Sequence, residues 1–384
     1  MHGGGVRLAA LGIGSFVSVA ALTPLFRQIA LRYGITDRPG NGKLHANVTP
    51  YLGGVAILLT ALGASTFLPS WSAQGVGILV GAVAVGLVGL IDDMRMLGPG
   101  PRLAMEASAA SVAFFTGVRV HLINGPVDFA LTVAWLVVLT NAFNLLDNMD
   151  GLAGVIATVT AIGLAVTAAV GGQVLVGGLA AIVAGSCIGF LIYNWHPARI
   201  FMGDAGSLFL GFILASLALE LRSPAGHKAG LAAVVLLAGP ALFDTSLVVC
   251  SRVRSGRSIM VGGTDHTSHR LARLGLGTRT VVTLLAAVTA ASTALGAGVS
   301  RGALAPWAVI PLAVVGVVAI VVLLREDPEA AAVYSAGHRA SAAVIDVTAA
   351  AAGTNGHDNG NGNGHPNSPA NGSFTVKERP PQRR

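Results

Sequence analysis

The sequence predicts an all-α polytopic membrane protein, and three observations carry that expectation. First, 53% of the 384 residues are hydrophobic and only 11% are charged, with a mean hydropathy of +0.71, whereas a soluble domain carries about 25% charged residues. Second, apolar runs of about 17 to 22 residues recur with short interruptions, the length that a ~30 Å hydrocarbon core requires of a helix. Third, Lys and Arg sort onto alternate loops, as the cytoplasmic preference of positive charge demands.

Eleven apolar runs predict about eleven transmembrane helices, near 6–26, 50–69, 74–91, 103–118, 127–143, 152–171, 173–193, 205–221, 229–250, 280–298 and 304–324. With the N-terminus outside, the inside loops hold thirteen basic residues: Arg27, Arg32, Arg38, Lys43, Arg95, Arg102, Arg199, Arg252, Arg254, Arg257, Arg270, Arg273 and Arg279. The outside then holds only five, Arg7, Arg119, Arg222, Lys228 and Arg301. The first run resembles a secretory signal, with Ser18-Val19-Ala20 like a cleavage site, but the basic residues after it hold that end inside, so an uncleaved span is expected. Residues 1–324 thus read as an integral membrane domain in the cell inner (plasma) membrane. The Asn/Gly-rich segment 325–384 reads as a disordered cytoplasmic tail, too poor in large apolar residues to fold, with at most a weak helix near 329–351. The net charge of +7 belongs to membrane topology rather than to nucleic-acid binding. Cys187 and Cys250 lie in separate apolar runs, which excludes a disulfide framework and a thiolate metal site.

The acids sort in the same way, which the positive-inside rule does not require. Of the eleven Asp and Glu before residue 325, seven fall in inside loops: Asp37, Asp92, Asp93, Asp147, Asp150, Asp204 and Asp265. Acid and base gathered at one membrane surface suggest a site for a metal and an anion. NAFNLLDNMDGLAG, 141–154, has helical spacing that puts Asn144, Asp147 and Asn148 on one face, with Asp150 a turn beyond. Its hard oxygen ligands suit Mg²⁺, which takes one or two carboxylates and leaves other positions to water and phosphate. GLIDDMRMLGPGPR, 89–102, sets Asp92 and Asp93 at a helix C-terminus, where two carboxylates oppose the dipole without a cation; they suit metal binding or proton acceptance. In MGDAGS, 202–207, small residues open a helix N-terminus beside Asp204 to an anion.

Lys43 and His45 lie beside glycines in DRPGNGKLHANVTPYLGG, 37–54, and Lys43 can meet phosphate as a point charge. SGRSIMVGGTDHTSHRLARLG, 255–275, offers Asp265, His266, His269 and Arg270; without a further nearby His or Cys for zinc, anion binding is the better reading. Asp244 lies inside a span, where an acid defaults to a functional role with a partner still to be found. Each motif also has a plainer reading as a solvated helix end, an N-cap or a polar loop. Five of them falling in five inside loops and none outside argue against those readings jointly.

Taken in order, DDM, NxxNLLDNMDGL, PARIFMGDAGS and DHTSHRL resemble the polyprenyl-phosphate N-acetylhexosamine-1-phosphate transferase superfamily over about residues 30 to 280. The resemblance implies transfer of a sugar 1-phosphate from a UDP-sugar to a polyprenyl phosphate in the membrane, releasing UMP, as the first membrane step of a cell-envelope polysaccharide. It implies Mg²⁺ as cofactor, with Mn²⁺ as the alternative, and a homodimer is left open. The last motif lacks the consecutive histidines of the phospho-MurNAc-pentapeptide branch, which favours UDP-GlcNAc or a related amino sugar. Carried over, Asp92 and Asp93 match the acids near the lipid phosphate, one of them a proposed base. Asn144, Asp147 and Asp150 match the nucleotide and metal loop, Asp204 the magnesium-binding acid, and His266 and His269 the donor-contacting histidine motif. Met96 stands where some relatives have a third acid, and Asn148 where many have Gly.

The expected mechanism places Mg²⁺ on Asp204 and Asp147, with Lys43, Arg102 and His266 spreading the remaining phosphate charge. Asp92, Asp93 and Asp147 are the expected catalytic acids, and the cleft is expected to face the cytoplasm. The rival from another class is an ion-coupled transporter, whose acids would sit near the bilayer midplane in repeated halves.

Overall fold

The computed structural model describes residues 2–37, 48–123, 125–260 and 262–325. Lys43, His45 and the tail beyond Arg325 lie outside the described residues. The described chain forms α1 (His2–Tyr33), α2 (Gly53–Ser65), α3 (Ala73–Arg95), α4 (Pro99–Phe115), α5 (Pro126–Leu146), α6 (Leu152–Val170), α7 (Val174–Asn194), α8 (Asp204–Glu220), α9 (His227–Arg254), α10 (Thr267–Arg273), α11 (Thr278–Ser300) and α12 (Val309–Arg325). Two short strands, β1 (Thr36–Asp37) and β2 (Thr49–Pro50), pair antiparallel, with Thr36 opposite Pro50.

Each of the eleven apolar runs folds as a helix, and eight of these helices are long and apolar enough to cross a membrane. The chain is a multi-pass membrane protein. The runs at 50–69, 103–118 and 205–221 give helices of only 13, 17 and 17 residues. At 1.5 Å per residue α2 extends roughly 20 Å, short of a ~30 Å hydrocarbon core. Local chemistry sets these limits: the Ser72 hydroxyl accepts from Gly75 N at 3.2 Å to start α3, and proline follows glycine at the starts of α4 and α5. Conversely, α1 and α9 run past their expected ends to include Arg32, Arg252 and Arg254 in their last turns, where cations complement the dipole.

At the centre stands α8, buried without a break from Ala205 to Ala218 and packed on α2, α3 and α5; α7 joins α1 to α6, and α11 covers α9. By contrast, α12 packs on α9 but buries none of its residues. The start of α2 meets the start of α8 backbone to backbone, because a Cβ on Gly54 would fall 2.2 Å from Gly206 N. Gly54→Ala is therefore expected to force these helices apart, at a cost of ~1–3 kcal/mol as for other overpacked cores. A thermal unfolding midpoint in detergent equal to that of the wild type would contradict this contact.

The helix ends interleave at one end of the bundle. Arg27 near the end of α1 donates to Arg199 O at 3.0 Å, Tyr51 before α2 donates to Asp93 O at 3.0 Å, and Arg279 in α11 donates to His196 O at 3.1 Å. Arg270 of α10 reaches Leu323 O near the end of α12 at 2.7 Å. All the polar motifs singled out in the described sequence lie at this end.

Candidate active site

Asp204 owes its position to glycine and to Asp93. Gly203 adopts φ +73°, and a Cβ there would meet the Asp93 carboxylate at 2.6 Å, so only glycine fits comfortably. Through that gap Asp93 accepts from the backbone N–H groups of Asp204 (2.9 Å) and Ala205 (3.1 Å). It thereby caps α8 with negative charge at the positive end of the dipole. Both oxygens of Asp93 are thus engaged. The same is true of Asp92, which accepts from Leu97 N at 2.6 Å and from Arg102 at 3.1 Å.

Arg102 ties the acids together. Its guanidinium donates to Glu106 (3.1 Å), Asp92 (3.1 Å), Asp204 (2.9 Å), Asn141 (3.1 Å) and Asn144 (2.8 Å). Asn144 in turn donates to Asp204 at 2.8 Å and to Ser207 at 3.0 Å, and Asn141 donates to Glu106 and to Val137 O. Glu106 is 0% exposed. A side chain expected to meet substrate phosphate therefore spends all its donor directions on the protein.

The turn joining α5 to α6 corrects one expectation. Helix α5 stops at Leu146, and Asp147 takes φ −79°, ψ 46°, so Asp150 does not follow Asp147 along a helical face. Instead, Asp150 accepts from Ala198 N at 3.0 Å and pairs with His196 Nδ1 at 2.8 Å, while Asn148 donates to Leu145 O at 2.6 Å. Asp147 differs from its neighbours. No described N–H or O–H donates to its carboxylate. Burial, followed by the nearby charges of Asp204, Asp93 and Asp150, pushes its pKa up to about 7.

These groups line a cavity of about 580 Å³. Its described lining has six carboxylates, Asp37, Asp92, Asp93, Asp147, Asp150 and Asp204, and two histidines, His196 and His269, but no Lys or Arg. Met96 and Leu97 form apolar lining beside Asp92 and Asp93, and Met96 is 90% exposed. No group of three or more His, Cys, Asp or Glu among the described residues makes a ready metal cage. The donor set nonetheless fits Mg²⁺, which needs few protein carboxylates: Asp147 has no donor among the described residues, and Asp204 keeps lone pairs beyond those used by Arg102 and Asn144.

The histidine loop divides in two. His269 faces the cavity. Behind it, the His266 Nδ1 lies 2.9 Å from the Asp244 carboxylate, which also accepts from Thr267 N at 2.7 Å, so Asp244 finds its partner 22 residues on. Asp265 pairs with Arg252 at 3.1 Å and with Arg257, and these hydrogen bonds hold its pKa below the usual carboxylate value despite the opposing effect of burial. Arg270 donates to Asp265 O at 2.9 Å and to Ser251 at 2.8 Å. Asp265, His266 and Arg270 thus brace the loop instead of lining the cavity. Ser268 donates to Asn148, fastening the loop to the Asp147 turn.

Burial, then the neighbouring His266 and Arg273, pushes His269 down from 6.5 to about 4. An unfolded chain takes up this proton below its ordinary pKa, whereas the folded one resists until about 4. Folding stability should hold above pH 6.5 and fall as the pH drops towards 4. His269→Gln should flatten that decline in a series of unfolding midpoints; an unchanged slope would remove His269 as its source.

A family model described as glycosyl transferase family 4 matches residues 76–222. A probable undecaprenyl-phosphate N-acetylglucosaminyl 1-phosphate transferase of Bacillus subtilis is 31% identical over 291 residues, 73% of this chain and 81% of the relative. The chain belongs to glycosyltransferase family 4. Decaprenyl-phosphate N-acetylglucosaminephosphotransferase of Mycobacterium tuberculosis is 32% identical over 320 residues, 73% of this chain and 79% of that one. A phospho-N-acetylmuramoyl-pentapeptide-transferase of Heliobacterium modesticaldum is 30% identical over 224 residues, covering 53% and 70%. Within this family 4 protein, the matched segment contains Asp92, Asp93, Arg102, Asn144, Asp147, Asp150 and Asp204; the histidine loop lies beyond it.

Sequence reasoning passed over Tyr51, Glu106, Asn194 and His196. Glu106 had two signals, an acid within an apolar run and an i,i+4 relation to Arg102. Asn194 accepts from Gly151 N at 3.1 Å and donates to Ile200 O at 3.0 Å, joining two motifs that had been read separately. Tyr51 carried no sequence signal.

Proposed function

We propose that this family 4 membrane protein transfers GlcNAc-1-phosphate from UDP-GlcNAc to undecaprenyl or another polyprenyl phosphate, releasing UMP. The observation that carries this reading is the cavity itself: six carboxylates among its described lining, without a described Lys or Arg, in a relative of polyprenyl-phosphate aminosugar-phosphate transferases. Such a cavity repels a polyphosphate unless a cation accompanies it. Asp147 and Asp204 would hold Mg²⁺, or Mn²⁺ with the same oxygen ligands. When bound, the ion supplies positive charge to the donor pyrophosphate as negative charge redistributes in the transition state.

The chain's own groups position the reactants. Asp93 and Gly203 fix the start of α8, and Arg102 with Asn144 sets the Asp204 carboxylate. Exposed Met96 and adjacent Leu97 give the acceptor lipid an apolar approach to the acids. There, an acceptor phosphate oxygen forms a bond to the sugar-bearing phosphorus while the bond from that phosphorus to the UMP oxygen breaks. With a phosphate second pKa near ~6 the acceptor is already largely ionised at neutral pH, so proton removal contributes little. Asp92 and Asp93, engaged on both oxygens, act as scaffold for the site; Asp147 is the carboxylate left to do chemistry.

In this reading the membrane thread has eleven crossings in the plasma membrane, with the N-terminus outside and the cleft facing the cytoplasm, where UDP-sugars are made. The thirteen basic residues that the sequence assigns to the inside loops, against five outside, support the orientation. Membranes containing the protein, supplied with Mg²⁺, a polyprenyl phosphate and a mixture of UDP-sugars, should release UMP and form a polyprenyl-diphospho-GlcNAc detectable by mass spectrometry. A product carrying MurNAc-pentapeptide would reassign the donor, and cation flux in proteoliposomes without UMP release would overturn the reaction.

A further inference from the structure

The opposite end of the bundle has a cavity of its own, of about 400 Å³, lined by Arg119, His121, Glu220, Arg222 and His227. It is separate from the carboxylate cleft. Gln74 in the first turn of α3 lines it, and Asp93 near the end of the same helix lines the cleft; nineteen residues at 1.5 Å each set them about 28 Å apart. We propose that this second cavity binds the head group of an anionic phospholipid, its phosphate held by Arg119 and Arg222.

Four observations converge on that assignment. Lys and Arg are disfavoured on the face of a membrane protein opposite its basic loops, yet Arg119 and Arg222 meet here, with Lys228 next to the lining residue His227. Their guanidinium groups donate no hydrogen bond to a described protein acceptor, although Arg119 lies 5.9 Å from the Phe114 ring centre. Two arginines with unused donors suit phosphate, which accepts from several directions.

The lining is also held in place before any ligand arrives. Buried Asp128 accepts from Leu122 N at 3.2 Å and Ile123 N at 3.0 Å, and Thr132 accepts from Val120 N at 2.9 Å, pinning the Arg119 loop. Gln173 clamps the Arg222 backbone through both amide atoms, and Ser223 donates to Ser300 O at 2.8 Å. With Asp128 so used, Glu220 is the only acid among the described residues lining the cavity, so the local balance is positive. The surroundings point to a lipid and not a free solute: Phe115 (78%) and Ile123 (66%) are exposed near it. Phe114, Phe115 and Phe129 cluster with ring centres 5.1–5.9 Å apart, adding apolar surface beside Arg119.

The inference rests on the chain spanning a membrane and not on the transferase reading, so transferase activity serves as an independent check of folding. Native mass spectrometry of the full chain in detergent, titrated with phosphatidylglycerol, should show binding that weakens by about thirtyfold in R119Q/R222Q. E220Q, which removes the cavity's acid, should bind more tightly than wild type. Both variants should retain transferase activity. Equal affinity in all three proteins, equal retention of phosphatidylcholine, or arginine-dependent binding of inorganic phosphate without lipid would each overturn the proposal. If R119Q/R222Q fails to fold, E220Q decides alone, and unchanged binding in it counts against the site.

Discussion

Asp147→Asn is expected to stop sugar 1-phosphate transfer without weakening the fold. The substitution keeps shape and removes one negative charge from a group that has no described hydrogen-bond donor and faces Asp204, Asp93 and Asp150. Loss of a single well-placed electrostatic group commonly costs about 10²- to 10³-fold in rate, and a carboxylate that holds the metal should cost at least that. Removing repulsion should leave the unfolding midpoint equal to wild type or higher. Asp204→Asn should lose transfer as well, but it also loses the ion pair with Arg102 at 2.9 Å, so its midpoint should fall. Assays with labelled UDP-GlcNAc and Mg²⁺, run beside thermal unfolding, separate the two cases. Full activity in either variant ends the metal assignment, and a collapsed Asp147→Asn protein would mean that its carboxylate is structural.

Arg102→Met should produce the reverse pattern, a large loss of stability with inactivity as its consequence. The variant leaves Glu106, 0% exposed, with its carboxylate uncompensated, and it strands Asp92 and Asp204 beside one another. Deleting one partner of a buried ion pair typically costs ~3–5 kcal/mol, mostly through the charge left behind. Arg102→Lys should not rescue, because one ammonium cannot reach acceptors spread over Glu106, Asp92, Asp204, Asn141 and Asn144 as a planar fork does. Adding Glu106→Gln to Arg102→Met should recover part of the loss, as coupling between contacting groups requires. Equal unfolding midpoints for wild type and Arg102→Met would refute the clamp and return Arg102 to the substrate-binding set.

Much of the site was legible because acids in so apolar a chain are conspicuous. Asp92, Asp93, Asp147, Asp150, Asp204 and His269 were each singled out, and all line one cavity. What stayed hidden was who bonds to whom. Arg102 was expected on the substrate, but Asp204, its partner, comes from a helix 102 positions later. Asp265 and Arg270 looked like anion ligands because arginines surround them, yet the Asp265 carboxylate is taken by Arg252 and Arg257, and Arg270 bonds Ser251 and the backbone oxygens of Asp265 and Leu323. Asp150 fell off the expected helical face because α5 stops at Leu146 and Asp147, at φ −79° and ψ 46°, already leaves the helical path.

The amino-acid sequence by itself determined the membrane-spanning helices, the face on which the polar motifs gather and the family of chemistry they serve. Hydrophobic length and the sorting of charge are properties of short segments and their loops, so they can be read locally. Only the tertiary structure decided which carboxylates are spent as caps and ion pairs and which one is left without a donor. That distinction depends on distances between helix ends far apart in the chain, set by glycine contacts such as Gly54 on Gly206 and Gly203 under Asp93.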